Sequence, residues 1–395
     1  MDLRSQKLLD TAVLEHTRDF LALEKEWEDL YQNSPLVTPF QSWAWLYSWW
    51  ELYGEEYELR LITIRDEGFL VGLMPLMLKR RKNLNWLFFV GTGPTNYLDI
   101  IVREGWEAQT AKAGAEALKR LPSWHLADLQ QIRPEAAAWS LFRQWTGPQT
   151  RIRQDHCLLI DVKPWDELVM PLSKKNRKMA RQSVRRVQQD EVHSRLASPT
   201  DAERAARTLV ALIREQWQPR WQYTDPDFWG STFESHMMVA ARRMTACGLG
   251  GISEFWRDGQ VIVSIFLLFG QDFVAAYWAG ASKDALKRYS FNALYIWDMV
   301  NTAHSGDYAH LNLLWGDEPY KLRWNPRKVF NHRVMLGRKM TVFAPHAGYR
   351  ALSSTAASYM RSEDAPEWVK KVRRILHFLR TRSRWWKARK RVASR

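Results

Sequence analysis

The stretch from Leu249 to Trp324 constrains this chain most, because β-rich and helical segments are separated there by connections too short to be ambiguous. Leu249 to Arg257 reads as a strand ending in Asp258-Gly259, Gln260 to Phe269 as a second stopping at Gly270, and Asp272 to Ala279 as a third. Bends of about two residues built on Gly force antiparallel neighbours, since Gly takes positive φ at little cost. A polar loop, Ala281 to Tyr289, leads to Ser290, which opens a helix with Ala293, Ile296, Trp297, Val300 and His304 on one face. Leu311 to Trp315 is the next strand, and a strand, helix, strand unit of this length pairs in parallel with a right-handed crossover. A sheet that changes from antiparallel to parallel leaves a gap beside the crossover helix. Ligands favour such gaps, and the helix's amino end offers free N–H groups to a phosphate.

After the last strand stands Trp315-Gly316-Asp317-Glu318-Pro319-Tyr320-Lys321, followed by Arg323, Trp324 and Asn325. An acid, a phenol and an amine gathered at a strand's carboxyl end suit acid–base chemistry. Upstream, Leu172 to Gln189 forms a basic helix capped by Ser173, with Lys174, Lys175, Arg177, Lys178, Arg181, Arg185 and Arg186 and no acid before Asp190. Such a run is either a solvated face or one neutralised by phosphates, because like charges at i,i+4 repel.

The earlier half repeats the same order. Thr17 to Asn33 and Gln41 to Tyr53 are helices, the second carrying Trp43, Trp45, Tyr47, Trp49, Trp50 and Tyr53. These rings either fill a groove between two domains or offer a stacking platform for sugar rings and bases. Tyr57 to Ile64, Phe69 to Leu78, Asn83 to Val90 and Asn96 to Val102 read as strands, Trp106 to Leu121 as a helix and Trp124 to Gln130 as a strand. Two α/β units in tandem follow from that order, the first without a Tyr-Lys corner. Pro134 to Trp145 is a helix and His156 to Val162 a strand linking the halves. Asp201 to Trp221 and Pro226 to Cys247 are helices, Val329 to Leu336 a strand, and Phe343 to Ser362 a linker.

With 395 residues, the chain holds two domains and a tail: 1–160, 161–342 and 343–395. The fold class is α/β with mixed sheets. Cys157 and Cys247 stand far apart and no paired His or Cys-x-x-Cys spacing exists, which argues against a disulfide framework or a metal site. Met1 to Phe20 lacks the apolar core of a secretory signal, so a cytoplasmic location is expected. The net charge of +15 is concentrated at the end, where residues 367–395 hold twelve Lys and Arg against Glu367 alone. Pro366 to Arg391 reads as a helix with an apolar stripe of Trp368, Val372, Ile375, Leu376 and Leu379, then Trp385 and Trp386 among arginines. That pattern suits an anionic membrane surface, with docking on the protein body or nucleic-acid binding as alternatives.

The element order, the Gly-Asp-Glu-Pro-Tyr-Lys-x-x-Trp ending and the basic run from Ser173 to Arg186 together resemble the CelD/BioF-like acetyltransferase branch of the GNAT superfamily, over roughly residues 20 to 340. That branch is related to the Fem peptidyltransferases and is met in exopolysaccharide and cellulose biosynthesis loci. The resemblance implies two tandem GNAT-like domains and an acyl-CoA donor, acetyl-CoA or another, lying between the parallel strands. Tyr277, Ala279, Gly280, Arg288, Ser290 and Asn292 would then contact the donor. It makes Tyr320 the acid for the departing thiolate, Asp317 or Glu318 the base, and Lys321 an oxyanion or phosphate ligand, unless Lys321 pairs with Glu318. Glu215, Trp217, Trp221, Arg177, Trp315 and Trp324 would line the acceptor side, for a carbohydrate or cell-envelope precursor. The superfamily's pyrophosphate loop, Arg/Gln-x-x-Gly-x-Gly/Ala, falls on Arg288 to Ala293, with Phe291 in the place of the first Gly. Fem relatives take their acyl group from aminoacyl-tRNA, the alternative donor. A non-catalytic module tethering a polysaccharide synthase is the third reading.

Overall fold

The computed structural model describes residues 9–81, 83–217, 231–316 and 318–361. In chain order the elements of the first half are β1 (Asp10–Leu14), α1 (Thr17–Ala22), α2 (Glu24–Gln32), α3 (Trp43–Tyr53), β2 (Glu58–Asp66), β3 (Phe69–Lys79), β4 (Trp86–Phe89), β5 (Ile101–Val102), α4 (Glu107–Arg120), β6 (Leu126–Ile132), α5 (Ala138–Gln144) and β7 (Gln149–Asp161). The second half continues with α6 (Trp165–Val169), α7 (Lys174–Gln189), β8 (His193–Leu196), α8 (Ala202–Trp217), α9 (Ser231–Ala246), β9 (Gly250–Arg257), β10 (Gln260–Phe269), β11 (Phe273–Ala281), α10 (Lys283–Arg288), α11 (Phe291–Ser305), β12 (His310–Trp315), α12 (Pro319–Leu322), β13 (Arg327–Gly337) and α13 (Met340–Arg361).

All strands among the described residues join one mixed 13-stranded sheet in the order β1-β2-β3-β4-β6-β13-β7-β12-β11-β10-β9-β8, with β5 beside β3. The order reads the same from both ends. Strands β2, β3 and β4 form an antiparallel meander, α4 crosses over and β6 returns parallel to β4. Strands β9, β10 and β11 form the second meander, α11 crosses over and β12 returns parallel to β11. Between the halves the chain exchanges strands, since β7 lies against β12, β13 lies against β6, and β7 and β13 pair along nearly their whole length. This exchange couples the two meanders through backbone hydrogen bonds.

Helix α3 begins at Ser42, whose hydroxyl accepts from the Trp45 N–H at 3.2 Å, and it packs against α9 between the halves. Trp43, Trp45, Trp49 and Trp50 are all buried there, so the aromatic helix fills core and offers no open platform. Fully burying a large apolar side chain contributes about 1.5–3 kcal/mol, which makes α3 a principal anchor of the interface.

Several local expectations change. The loop expected at 281–289 contains α10, capped by the Ser282 hydroxyl. Helix α11 is enclosed on nearly every side, with Leu294, Tyr295, Asp298 and Met299 buried and His304 exposed, because α7 covers the face turned from the sheet. The linker expected at 343–362 belongs to α13, whose Phe343 and Ala347 pack beside Trp86 and Met335. Pro345 lies inside that helix without ending it. The expected tail helix over 366–391 lies outside the described residues.

Candidate active site where two parallel strands part

Strands β11 and β12 pair only at Phe273–His310, Val274–Leu311 and Ala275–Asn312, and then separate. Two irregularities drive them apart. In β11, Phe266 faces Trp278 and Leu267 faces Ala276 across β10, so Tyr277 is an extra residue that bends the strand. In β12, the register with β7 breaks between Asn312 and Trp315, and Leu314 adopts φ +56°. A non-Gly residue in that region costs about 1–3 kcal/mol and persists only when its surroundings fix it. Here Asn312 does so: its Oδ1 accepts the Leu314 N–H at 3.0 Å, while its Nδ2 donates to the Tyr97 hydroxyl at 2.9 Å.

The polar corner closes the end of β12. Gly316 has φ +127°, a conformation that requires glycine, and a Cβ there would stand 2.3 Å from a Glu318 carboxylate oxygen and push that side chain aside. Lys321 is buried; its Nζ donates to the Trp315 carbonyl at 2.9 Å and lies 3.1 Å from Glu318 Oε2. The amine therefore folds the corner back on itself and pairs with Glu318. Half-buried Tyr320 meets Tyr295 of α11 edge-on at 6.4 Å. Burial, reinforced by the Glu318 carboxylate, pushes the Tyr320 phenol well above its ordinary range, and burial does the same to Tyr295. A phenol is protonated at neutral pH without that push, as a general acid must be before it gives its proton to a leaving group, and the push makes the proton harder to give up. Asp317 lies outside the described residues.

The expected donor contacts divide. Tyr277 turns its ring into the aromatic core, 4.9 Å from Trp45, and its hydroxyl donates to the Pro94 carbonyl at 3.1 Å. Gly280 gives α8 room, because a Cβ there would stand 2.8 Å from the Ile213 nitrogen. Ala279 and Asn292 are partly exposed beside the gap and the crossover helix. Arg288 is ion-paired with Asp190, which also accepts from Tyr289, and the Ser290 N–H donates to the buried Ser183 hydroxyl of α7 at 2.7 Å. With Phe291 following, α7 takes the Ser290 N–H at the amino end of α11.

Among the expected acceptor residues, Glu215 accepts the Lys283 N–H at 3.3 Å and so caps α10. Arg177 donates to the Leu172 carbonyl at 3.2 Å, and Trp324 packs against Trp165 in the core. Trp315 is 56% exposed at the mouth of the corner. Trp217 ends α8, and its side chain, like Trp221, lies outside the described residues. Sequence reasoning passed over Asn312 and Tyr295. An Asn inside the otherwise apolar run Leu311 to Leu314 was the available signal for the first; Tyr295 gave none. Among the described residues no cluster of His, Cys, Asp and Glu is placed to hold a metal.

Residues 174–322 match the family described as acetyltransferase (GNAT) domain. No curated protein sequence matches the chain. Among solved structures, FemX superposes with TM-score 0.57 at 10% identity, over 82% of this chain and 96% of that one. A conserved protein of unknown function from Bacteroides thetaiotaomicron gives 0.55 at 12%, over 83% and 100%. The C-terminal domain of a protein described as a lysylphosphatidylglycerol synthetase, from Agrobacterium fabrum, gives 0.52 at 11%, over 81% and 92%. The fold is therefore a mixed α/β one of GNAT-like units, with Fem-transferase and lysylphosphatidylglycerol-synthetase neighbours.

Proposed function

We propose that this GNAT-fold protein is an acyltransferase that passes an acyl group from a carrier thioester or ester to an amine or hydroxyl of a cell-envelope or exopolysaccharide precursor. The observation that carries the reading is the parting of β11 and β12 after three paired residues, with Tyr320 held protonated at the corner where they end. An extended acyl carrier fits between strands whose facing backbone groups have lost each other as partners. The acceptor nitrogen or oxygen forms a bond to the acyl carbon, the bond to the carrier sulfur or oxygen breaks, and the leaving atom takes the Tyr320 proton. Glu318, directly or through water, receives the proton released by the acceptor. Lys321 stays with Glu318 and holds the corner's shape.

Acyl-CoA is the donor that the domain match implies, and acetyl-CoA is the first to test. A second donor, aminoacyl-tRNA, is favoured by one observation: Asp190 and Ser183 engage Arg288 and the Ser290 N–H, where a pyrophosphate would bind. Titration calorimetry with acetyl-CoA decides between them when paired with ribonuclease treatment of the active protein. Heat on titration with ribonuclease-insensitive activity supports acyl-CoA, whereas silent titration and loss of activity on digestion assign the donor to tRNA. Activity unchanged by the triple variant Asp317→Asn, Tyr320→Phe, Lys321→Ala would remove the catalytic reading. No helix among the described residues is long and apolar enough to cross a membrane. We place the protein peripherally on the inner membrane face through residues 366–395, and deleting them is expected to release it from anionic vesicles while sparing soluble activity.

A further inference from the structure

A groove of about 610 Å³ lies away from the corner, between the start of β4 and α13. Arg81, Asn83, Trp86, His346, Tyr349 and Arg350 line it. Beneath it Asp128 is wholly buried, 3.0 Å from Arg333 and 3.6 Å from Arg350. Arg333 and Arg350 both turn to Asp128, and Arg81 and Asp155 act on the cluster through space. Asp128 fixes the direction of Arg333 and Arg350. Arg81 is exposed and makes no hydrogen bond or ion pair among the described residues, so its guanidinium is open to a ligand.

The rim is apolar where the groove is basic. On α13, Tyr349 is 67% and Leu352 73% exposed, three residues apart and therefore on one helical face. Large side chains left in water on one face, bordering a cationic groove, match the layering of a bilayer surface, where phosphates lie above acyl chains. Sequence continuity points the same way: residues 362–395, which follow α13 directly, carry the Lys and Arg excess. Strand polarity adds a third argument. β12 runs antiparallel to β7, and β6 and β7 both run antiparallel to β13, so the groove lies at the end of the sheet toward which β12 runs. A surface bound there lies on the side toward which the parted strands deliver the corner.

We propose that this groove is a headgroup site for an anionic phospholipid, its phosphate between Arg81 and Arg350 and its glycerol and upper acyl chains against Trp86, Tyr349 and Leu352. The site is separate from the corner and from residues 366–395, and it stands whether or not the chain transfers an acyl group. The test is flotation of the full chain with vesicles of phosphatidylglycerol and phosphatidylcholine, comparing Arg81→Glu with Lys112→Glu, an equal charge change at an exposed residue of α4. Arg81→Glu is expected to weaken binding about tenfold and Lys112→Glu less than about twofold, since surface cations act only within a short distance of the leaflet. Leu352→Asp, at an exposed site that leaves the core intact, is expected to weaken binding as well. Equal losses for the two charge reversals would show that overall charge alone binds the vesicle and would overturn the site. Binding of inorganic phosphate that Arg81→Glu abolishes, with flotation left unchanged by the same variant, would likewise overturn it, by assigning the groove to a free anion.

Discussion

The two halves of the sheet solve the same problem and end differently. In both, a crossover helix returns a parallel strand that pairs briefly and then parts from its neighbour, two residue pairs in the first half and three in the second. In both, a residue with positive φ breaks the returning strand, Gln131 at +57° in β6 and Leu314 at +56° in β12. The first opening is filled by the chain itself. The Leu98 N–H donates to the Gln131 carbonyl at 2.9 Å, and Asn331 Nδ2 donates to the Asn96 carbonyl at 2.9 Å and to Gln131 Oε1 at 2.8 Å. The second opening ends in Gly316, Glu318, Tyr320 and Lys321 instead. One scaffold thus becomes structural or chemical according to what enters the gap, and the strain of the parting is kept in both.

Replacing Tyr320 tests that contrast most severely. Tyr320→Phe removes the acid without altering the ring packed on Tyr295, and a loss of about 10²- to 10⁴-fold in kcat is expected, with thermal stability unchanged. The mirrored change, Asn331→Ala, is expected to lower stability by about 1–2 kcal/mol through the lost hydrogen bonds to Asn96, Gln131 and Cys157 while leaving kcat intact. A large loss of kcat in Asn331→Ala would show that both halves take part in the chemistry.

The crossover helices supply a second contrast. Helix α4 packs through small residues, Gly114 lying so close to Met74 and Leu141 that a Cβ would crowd both. Helix α11 buries Asp298, whose Oδ2 has no hydrogen-bond partner. Burial pushes this carboxyl up to about 7, against the opposing pull of Ser253. The folded chain therefore holds a proton that the unfolded chain releases between about pH 4 and pH 7, so stability falls as pH rises through that window and levels off above it. Asp298→Asn is expected to abolish that slope, raising Tm most at pH 8 and least at pH 4; parallel melting curves for the two proteins across the range would contradict the assignment.

How much of this was legible follows from the range of the interactions involved. The second meander, its crossover and the corner could be read because alternation, Gly bends and helical spacing act over a few residues. The tandem order was readable for the same reason. The exchange of β7 and β13 was not, since Gln149 and Leu336 are joined only by the folded sheet. Helix α13 was hidden by Pro345 and Gly348, residues that weigh against a helix until Phe343 and Ala347 are buried on Trp86 and Met335. In the corner, residue types were visible but pairings were not: whether Lys321 faces a ligand or Glu318 depends on the turn made at Gly316.

Gly316 is where the two halves diverge in backbone. Gly316→Ala forces a side chain into φ +127° and against Glu318, so a cost of about 1–3 kcal/mol is expected, together with a displaced Tyr320. A fall in kcat at unchanged KM would show that the corner's shape serves the chemical step; a fall in stability with kcat preserved would make Gly316 a folding residue only.

The smallest effect concerns the brace at the amino end of α11, a feature that the first half has no need of. Arg288 and Tyr289 both engage Asp190, and the guanidinium pulls that carboxyl down to about 2. Because the folded value is depressed, the brace is fully present above the unfolded value near 4 and is lost as pH falls toward 2. Arg288 is half exposed, so screening keeps the contribution small. Asp190→Asn is therefore expected to lower Tm slightly at pH 7 and to match the unaltered protein below about pH 2, where the carboxyl is already protonated. If the same variant gains acetyl-CoA binding in calorimetry, the freed Arg288 belongs to a latent phosphate site that Asp190 masks, and the two halves differ in access rather than in architecture.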